Sequence, residues 1–453
     1  MKKILAIICA AAALAACINR NHNTETGPVL KGDFTDWAQT PPMGWNSWDC
    51  YGPTVVEEEV RANADFMAKN LKKFGWEYVI VDIRWFVAND RAGGYNEDDP
   101  IYSLDEYGRY IPAVNRFPSS ADGAGFKPLS DYVHSLGLKF GIHIMRGVPG
   151  KAVEQKLPIL GTDGITADMI YSERDRCRWL RDNYTIEADR PGAQEYYNSI
   201  LELYASWGVD YIKVDDLSAP VYHEHEIDMI RKAIDATGRP IVLSTSPGET
   251  PVAAAKHVDS HANAWRMVND VWDRWQDVTH LIKVARDWYP YIGEGTWPDA
   301  DMLPLGRISI RGERGADRNT SLTPDEQRTL MTFWCIFRSP LMYGGDLPSL
   351  ADDPQGLAMI TNEAVLKVNQ QGSMPFEVYN KDGKLAVSSF DSVTGHTYLA
   401  LFNLTDEGPL DLEIPLEELN LKRLRATELW SGKKISGKTV TLAPHACALL
   451  ELR

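Results

Sequence analysis

The chain has 453 residues, 44% hydrophobic and 24% charged, with 14 Trp and 6 Cys. That is long enough for a barrel-sized unit with a smaller appendage. A net charge of −16 and a pI near 5.1 exclude a nucleic-acid binder, whose phosphates demand a basic surface, and suit a neutral ligand such as a sugar.

Residues 1–16 read as an export signal. Lys2 and Lys3 form a positive start, and Ile4 to Leu14 form an apolar run too short to span a membrane as a mature helix. Leu14-Ala15-Ala16-Cys17 supplies a small-residue cleavage site and resembles the bacterial lipoprotein lipobox. The resemblance implies acylation of Cys17 and tethering through a polar linker over 17–35 to the periplasmic or cell-surface face of a bacterial membrane. A plain secretory signal with a chance Cys is the competing reading. Four later cysteines, Cys50, Cys177, Cys335 and Cys447, have the spacing of neither a zinc site nor a small disulfide framework.

Over 36–371, short apolar runs alternate with helical stretches, the pattern of a (β/α)8 barrel in the α/β class. The predicted strands are Met43–Trp48, Tyr78–Trp85, Lys139–Met145, Tyr211–Asp215, Ile241–Ser246, Ala262–Met267, Tyr291–Glu294 and Pro340–Tyr343. Helices are predicted over Thr54–Phe74, with Val60, Ala64, Met67 and Leu71 on one face, over Ala193–Trp207 and over Glu326–Phe337. The longest insertion, Asn89–Gly125, is rich in Gly, Pro, Asp and Tyr. After a barrel strand, such a loop either shapes a pocket or is a solvated excursion. From 372 to 453 the pattern becomes short strands with turns such as Asn380-Lys381-Asp382-Gly383, which predicts an antiparallel β-sandwich.

Two carboxylates carry the chemistry. Asp215 ends the apolar run Val209–Val214, at the C-terminal end of a buried parallel strand, where catalytic groups of barrels collect. Taken alone, it could instead cap the next helix, a reading that weakens once the second segment is considered. Asp270 closes a second segment, Trp265-Arg266-Met267-Val268-Asn269-Asp270, whose Arg266 could orient a substrate hydroxyl while Asp270 handles a proton. Paired carboxylates of this kind cut glycosidic bonds.

Five ordered motifs then resemble glycoside hydrolase family 27, the α-galactosidases and α-N-acetylgalactosaminidases. They are Pro41-Pro42-Met43-Gly44-Trp45-Asn46-Ser47-Trp48, Tyr211-Ile212-Lys213-Val214-Asp215, Trp265-Arg266 to Asp270, Trp297-Pro298-Asp299-Ala300-Asp301-Met302-Leu303 and Arg338-Ser339-Pro340-Leu341-Met342. The resemblance runs from about Thr40 to Leu452. It implies a retaining exo-glycosidase acting on terminal α-D-galactosyl-type residues of oligo- or polysaccharides, with no cofactor and no metal. Asp215 would be the nucleophile and Asp270 the acid and then base, the two carboxyls about 5 to 5.5 Å apart, with Asp270 protonated and Asp215 ionised at rest. Lys213, Arg266 and Asp82 match residues that hold sugar hydroxyls, and Trp48 matches the ring that packs on the sugar.

Three departures bear on the sugar. The family's second aspartate is Ile83 in Asp82-Ile83-Arg84-Trp85, which weakens a galactose preference and admits a sugar lacking C6, such as β-L-arabinopyranose. His143 stands where the family usually has Tyr and is expected to face the pocket. Ser246, in Ser244-Thr245-Ser246-Pro247-Gly248, stands where galactosidases place Glu, and a small residue there admits an acetamido group. Arg84 could read an acidic sugar but is better explained by a salt bridge at the barrel rim. Asp216 either tunes Asp215 by like-charge repulsion or caps a helix. His223-Glu224-His225-Glu226 has metal-ligand residue types, yet with no third ligand in view it reads as an exposed helix start. A different class of function, a glycan-binding lipoprotein without turnover, is disfavoured by the presence of Asp215, Asp270, Lys213 and Arg266.

Overall fold

The computed structural model describes residues 33–453, so the expected export signal, Cys17 and most of the expected linker lie outside the described residues. Eight parallel strands form one sheet: β1 (Met43–Asn46), β2 (Tyr78–Val81), β3 (Lys139–Met145), β4 (Tyr211–Asp215), β5 (Val242–Thr245), β6 (Ala264–Arg266), β7 (Trp297–Asp299) and β8 (Leu341–Tyr343). The order is β7-β6-β5-β4-β3-β2-β1-β8, and a parallel bridge from Leu303 to Tyr343 closes it into a (β/α)8 barrel. These strands are short, apolar and almost wholly buried, as parallel strands covered on both faces must be. Tyr78, Ile80, Tyr211, Val242, Trp297 and Met342 pack together as one interior cluster. The Tyr78 and Tyr211 rings meet edge to face at 5.3 Å. Gly44 is required where β1 passes β2, since a Cβ there would lie 2.5 Å from the Tyr78 carbonyl oxygen.

One predicted strand is misplaced. Tyr289–Tyr291 forms a 3-10 turn with Pro290 in its first positions, and the seventh strand is Trp297–Asp299. Pro298 argues against a strand because it cannot donate to a ladder. Here the Trp297 N–H and the Asp299 carbonyl both face β6, so the nitrogen of Pro298 points to the seam and no hydrogen bond is lost.

Five helices brace the barrel around the residues of interest: α1 (Glu57–Phe66), α2 (Ala193–Ser206), α3 (Glu224–Thr237), α4 (Ala255–Asp259) and α5 (Pro324–Phe337). The predicted Thr54–Phe74 helix starts at Glu57, widens to π geometry over Met67–Leu71 and ends in a 3-10 turn at Gly75, whose φ is +96°. At α5, Thr323 accepts from the Glu326 N–H and the Glu326 carboxylate accepts from the Thr323 N–H, with Pro324 opening the helix. Among the described residues no helix is long and apolar enough to cross a membrane.

The C-terminal part is antiparallel, built from β9 (Gly372–Lys381), β10 (Lys384–Asp391), β11 (Thr397–Asn403), β12 (Leu410–Glu413), β13 (Ala426–Glu428), β14 (Lys434–Ile435), β15 (Thr439–Leu442) and β16 (Cys447–Leu452). A six-stranded sheet, β9-β10-β11-β16-β13-β14, faces the β12-β15 pair across Leu399, Leu401, Leu412, Leu442 and Leu450. Its other face presents Leu385, Val387, Ala400, Phe402 and Leu449 to the barrel core. Phe402 meets Phe333 of α5 at 5.9 Å, and the Trp430 indole donates to Thr332 Oγ1 at 2.9 Å. The sandwich therefore packs against the barrel by the same alternation that forms its own core. Cys50, Cys177, Cys335 and Cys447 are free thiols.

Candidate active site

A cavity of about 450 Å³ opens at the C-terminal ends of the barrel strands, and all eight pocket residues expected from the sequence line it: Trp48, Asp82, His143, Lys213, Asp215, Ser246, Arg266 and Asp270. Successive strands deliver them. Trp48 and Asp82 follow β1 and β2, His143 lies on β3, Lys213 and Asp215 on β4, Ser246 follows β5, and Arg266 ends β6. Because side chains alternate along a strand, Tyr211, Lys213 and Asp215 share the inner face, and the parallel register sets His143 beside Lys213.

Asp82 anchors one side of the cavity. Its Oδ1 accepts from His143 Nδ1 at 2.6 Å and its Oδ2 from Asn46 Nδ2 at 2.8 Å, with Lys213 Nζ at 3.5 Å. Burial alone would raise its pKa, but His143 and Lys213 outweigh it and hold the carboxyl well below the usual range. His143 turns its other ring nitrogen toward Asp215, with Nε2 3.7 Å from Oδ2. Asp215 Oδ1 and His143 Nε2 are buried atoms without a hydrogen-bond partner in the protein. Buried polar atoms are nearly always paired, so two open ones side by side in a cavity are groups prepared for a ligand. Burial disfavours the Lys213 ammonium, yet Asp82 and Asp215 reverse this and raise its pKa, so it stays charged.

The opposite side is organised by Arg266. Its guanidinium bonds Asp270 Oδ1 at 3.1 Å and Asp301 Oδ1 at 2.7 Å, while its Nε is unpaired. The expectation that Asp270 rests protonated is corrected here. Burial pushes its pKa up, but the charges of Arg266 and Lys213 and the direct Arg266 hydrogen bond prevail and hold it below the ordinary value. Asp301, wholly enclosed, is pushed up to about 6, first by burial and then by the charge of Asp270, against the pull of Arg266.

Sequence reasoning missed several lining residues. Tyr95 comes from the Asn89–Gly125 insertion and sets its ring 5.9 Å from Trp48, so that loop does shape the pocket. Its length was a signal, but no residue in it stood out. Asp301 sat inside a recognised motif without a role. Asp49, next to Trp48, is buried and strongly raised in pKa by desolvation, then by Asp301; only the folded chain brings these groups together. Glu313 and Arg314 belong to a charged run that reads as solvated surface, yet both line the cavity, and Glu313 hydrogen-bonds Trp48.

Other expectations resolve outside the cavity. Arg84 is fully buried in a salt-bridge network, donating to both Asp182 oxygens at 2.8 Å and to Asp90 at 3.1 Å, and does not line the pocket. Asp216 has φ +62° and turns away to Arg146 at 2.8 Å. The His223–Glu226 segment is not wholly exposed: Glu226 is buried, 2.7 Å from Arg146 and hydrogen-bonded by Tyr197. Burial against Arg146 also pushes the His223 imidazole down to about 3.

A barrel with a ring of carboxylates and cations at its strand ends, backed by an aromatic wall, is the architecture of a glycoside hydrolase. The alpha galactosidase A family matches residues 182–371, and the alpha galactosidase C-terminal beta sandwich domain matches 382–452. The structure of a GH27 β-L-arabinopyranosidase from Geobacillus stearothermophilus superposes with a TM-score of 0.89 at 47% identity, covering 92% of this chain and 97% of that one. A variant of that enzyme is solved in complex with arabinose. A putative α-N-acetylgalactosaminidase from Bacillus halodurans gives a TM-score of 0.82 at 42% identity, over 95% of this chain and 99% of that one. The α-galactosidase of Cyamopsis tetragonoloba is 30% identical over 337 residues, 74% of this chain, and the match spans 65% of that protein's length. The chain belongs to glycoside hydrolase family 27.

Proposed function

We propose that this protein is a retaining exo-glycosidase that removes terminal β-L-arabinopyranosyl residues from glycans and accepts α-D-galactosyl residues less well. The observation that carries the reading is Ile83. Its buried side chain lines the cavity beside Asp82, so an apolar wall stands next to the carboxylate that grips ring hydroxyls. β-L-Arabinopyranose has the ring stereochemistry of galactose without the C6 hydroxymethyl group. A galactose hydroxyl set against Ile83 would lose its hydrogen bonds to water and gain none, a cost of about 1 to 3 kcal/mol. The 47% identical relative is named for this sugar.

In this reading Asp215 attacks the anomeric carbon with its open Oδ1, forming a glycosyl-enzyme, and Asp270 protonates the leaving oxygen. Asp270 then takes a proton from water, which attacks the anomeric carbon and frees Asp215. A sugar seated in the cavity covers the half-exposed Asp270, and the lost hydration raises its pKa toward the protonated form the first step needs. Asp82, His143 and Lys213 hold ring hydroxyls, Arg266 positions Asp270, and Trp48 with Tyr95 packs on the sugar's apolar face. Ser246, also on the cavity wall, leaves room at C2 and supports a second reading as an α-N-acetylgalactosaminidase.

The test is a comparison of kcat/KM on aryl β-L-arabinopyranoside, α-D-galactopyranoside and α-N-acetylgalactosaminide, with the anomer of the first product followed by NMR. The arabinopyranoside should lead and retain configuration; a faster galactoside or acetamido sugar, or an inverted product, rejects the reading. We further propose export and lipid anchoring at Cys17. Cys17→Ser should leave the protein in the soluble fraction after cell fractionation, whereas membrane recovery of that variant would argue for another attachment.

A further inference from the structure

On the outside of the barrel, in the stretch of chain between the two carboxylate motifs, Asp228 of α3 meets His257 of α4 and His261, which leads into β6. Asp228 Oδ1 lies 2.8 Å from His257 Nε2 and 3.1 Å from His261 Nε2. Glu224, one helical turn before Asp228, places Oε1 4.0 Å from the same His257 nitrogen. The two imidazoles stack with centroids 4.2 Å apart, and both Nε2 atoms lie against the same Asp228 oxygen.

The proton on His261 can be placed. Its Nδ1 lies 2.9 Å from the His257 carbonyl oxygen, which only accepts. Ser260 Oγ, 3.0 Å away, already donates to that carbonyl, so it too must accept. Nδ1 therefore carries the hydrogen, and a neutral His261 points a lone pair from Nε2 at the Asp228 carboxylate. Two acceptors 3.1 Å apart require a cation between them, either a proton or a metal ion. Tyr222 completes the arrangement. Its hydroxyl is 2.6 Å from His257 Nδ1 and can accept a hydrogen bond from Nδ1–H, the tautomer that frees Nε2 as a ligand.

We propose that Asp228 Oδ1, His257 Nε2 and His261 Nε2 bind one divalent ion of the zinc class, with Glu224 swinging in as a fourth donor. Two imidazoles and a carboxylate suit a borderline ion in tetrahedral geometry and do not suit magnesium or calcium, which prefer oxygen donors. The ion would tie α3 and α4 to the segment entering β6, the strand that ends at Arg266.

The experiment uses the full chain stripped with a chelator and titrated with Zn²⁺ against a chromogenic competitor. The wild type should take up one tightly held equivalent and unfold at a higher temperature once loaded. His257→Gln/His261→Gln should lose that equivalent and the thermal shift while keeping glycosidase activity, and Asp228→Asn should weaken binding by about tenfold or more. No tight equivalent in the wild type, or the same uptake and shift in Asp228→Asn and in the double variant, overturns the site. In the first case a proton on His261 is the cation.

Discussion

Asp215 and Asp216 are neighbours in the chain, yet they belong to opposite kinds of charge network. Asp216 turns on a positive φ into a cluster in which Arg146 is saturated: it bonds Asp216, Glu226, Thr185 and the Asp175 carbonyl. Asp215 faces a cluster of similar charge density in which Asp215 Oδ1, His143 Nε2 and Arg266 Nε are buried without hydrogen-bond partners. Burial and charge are alike in the two, so neither marks the functional one. Unused bonding capacity on the wall of a cavity does, because a ligand seated there can satisfy it.

The largest effect that could break this contrast is on rate. Asp215→Asn should lower kcat/KM on an activated glycoside by at least about 10⁴-fold, as loss of a nucleophile does elsewhere, with an unchanged circular dichroism spectrum. Near-normal turnover would move the nucleophile to another carboxylate. On the closed side, Arg146→Met should lower unfolding free energy by about 3 to 5 kcal/mol, since Asp216 and Glu226 would be left buried without a counter-charge. Urea denaturation measures this, and a wild-type midpoint would mean that the closed cluster contributes nothing to stability.

A smaller effect sharpens the open side. Ile83→Asp restores the acceptor that family members carry next to Asp82, and should shift the ratio of α-galactoside to β-L-arabinopyranoside turnover by about tenfold toward galactose. An unchanged ratio would detach sugar choice from this wall.

Much of the open network was legible from the chain itself. Asp215 and Lys213 share a face because strand side chains alternate, the ordered motifs placed Trp48 and Arg266 near strand ends, and the Asp82-Ile83-Arg84-Trp85 segment singled out Asp82. The closed network was far less so. Glu226 read as part of an exposed His-Glu-His-Glu start because nothing local shows Arg146 approaching from the end of β3, and Asp216 read as a cap or a tuner of Asp215. Asp49 and Asp301 were opaque for the same reason, since their raised pKa values arise from burial and then from the charges of Asp301 on Asp49 and of Asp270 on Asp301, which only the closed barrel brings together. The seventh strand was placed a few residues early, at Tyr291–Glu294, and Pro298 in the true strand is tolerated because its nitrogen faces the seam. The His257–His261 pair was hidden because its third donor sits one barrel helix earlier.

The smallest effect concerns Asp216 itself. Burial, followed by the charges of Asp215 and Glu226, pushes its carboxyl up to about 7 despite the pull of Arg146. An unfolded aspartate releases its proton near pH 4, so between about pH 4 and 7 the folded chain holds a proton that the unfolded chain has lost. Linkage then makes this residue's contribution to stability fall as pH rises through that window and stay flat above it. Asp216→Asn mimics the protonated form and removes the penalty. It should therefore be more stable than the wild type by about 1 to 2 kcal/mol at pH 8, with the difference vanishing near pH 4. Thermal midpoints measured across that range decide the point. A variant weaker at pH 8 would mean that the ionised Asp216 pairs favourably with Arg146, and that the closed network is held by full charges on both partners.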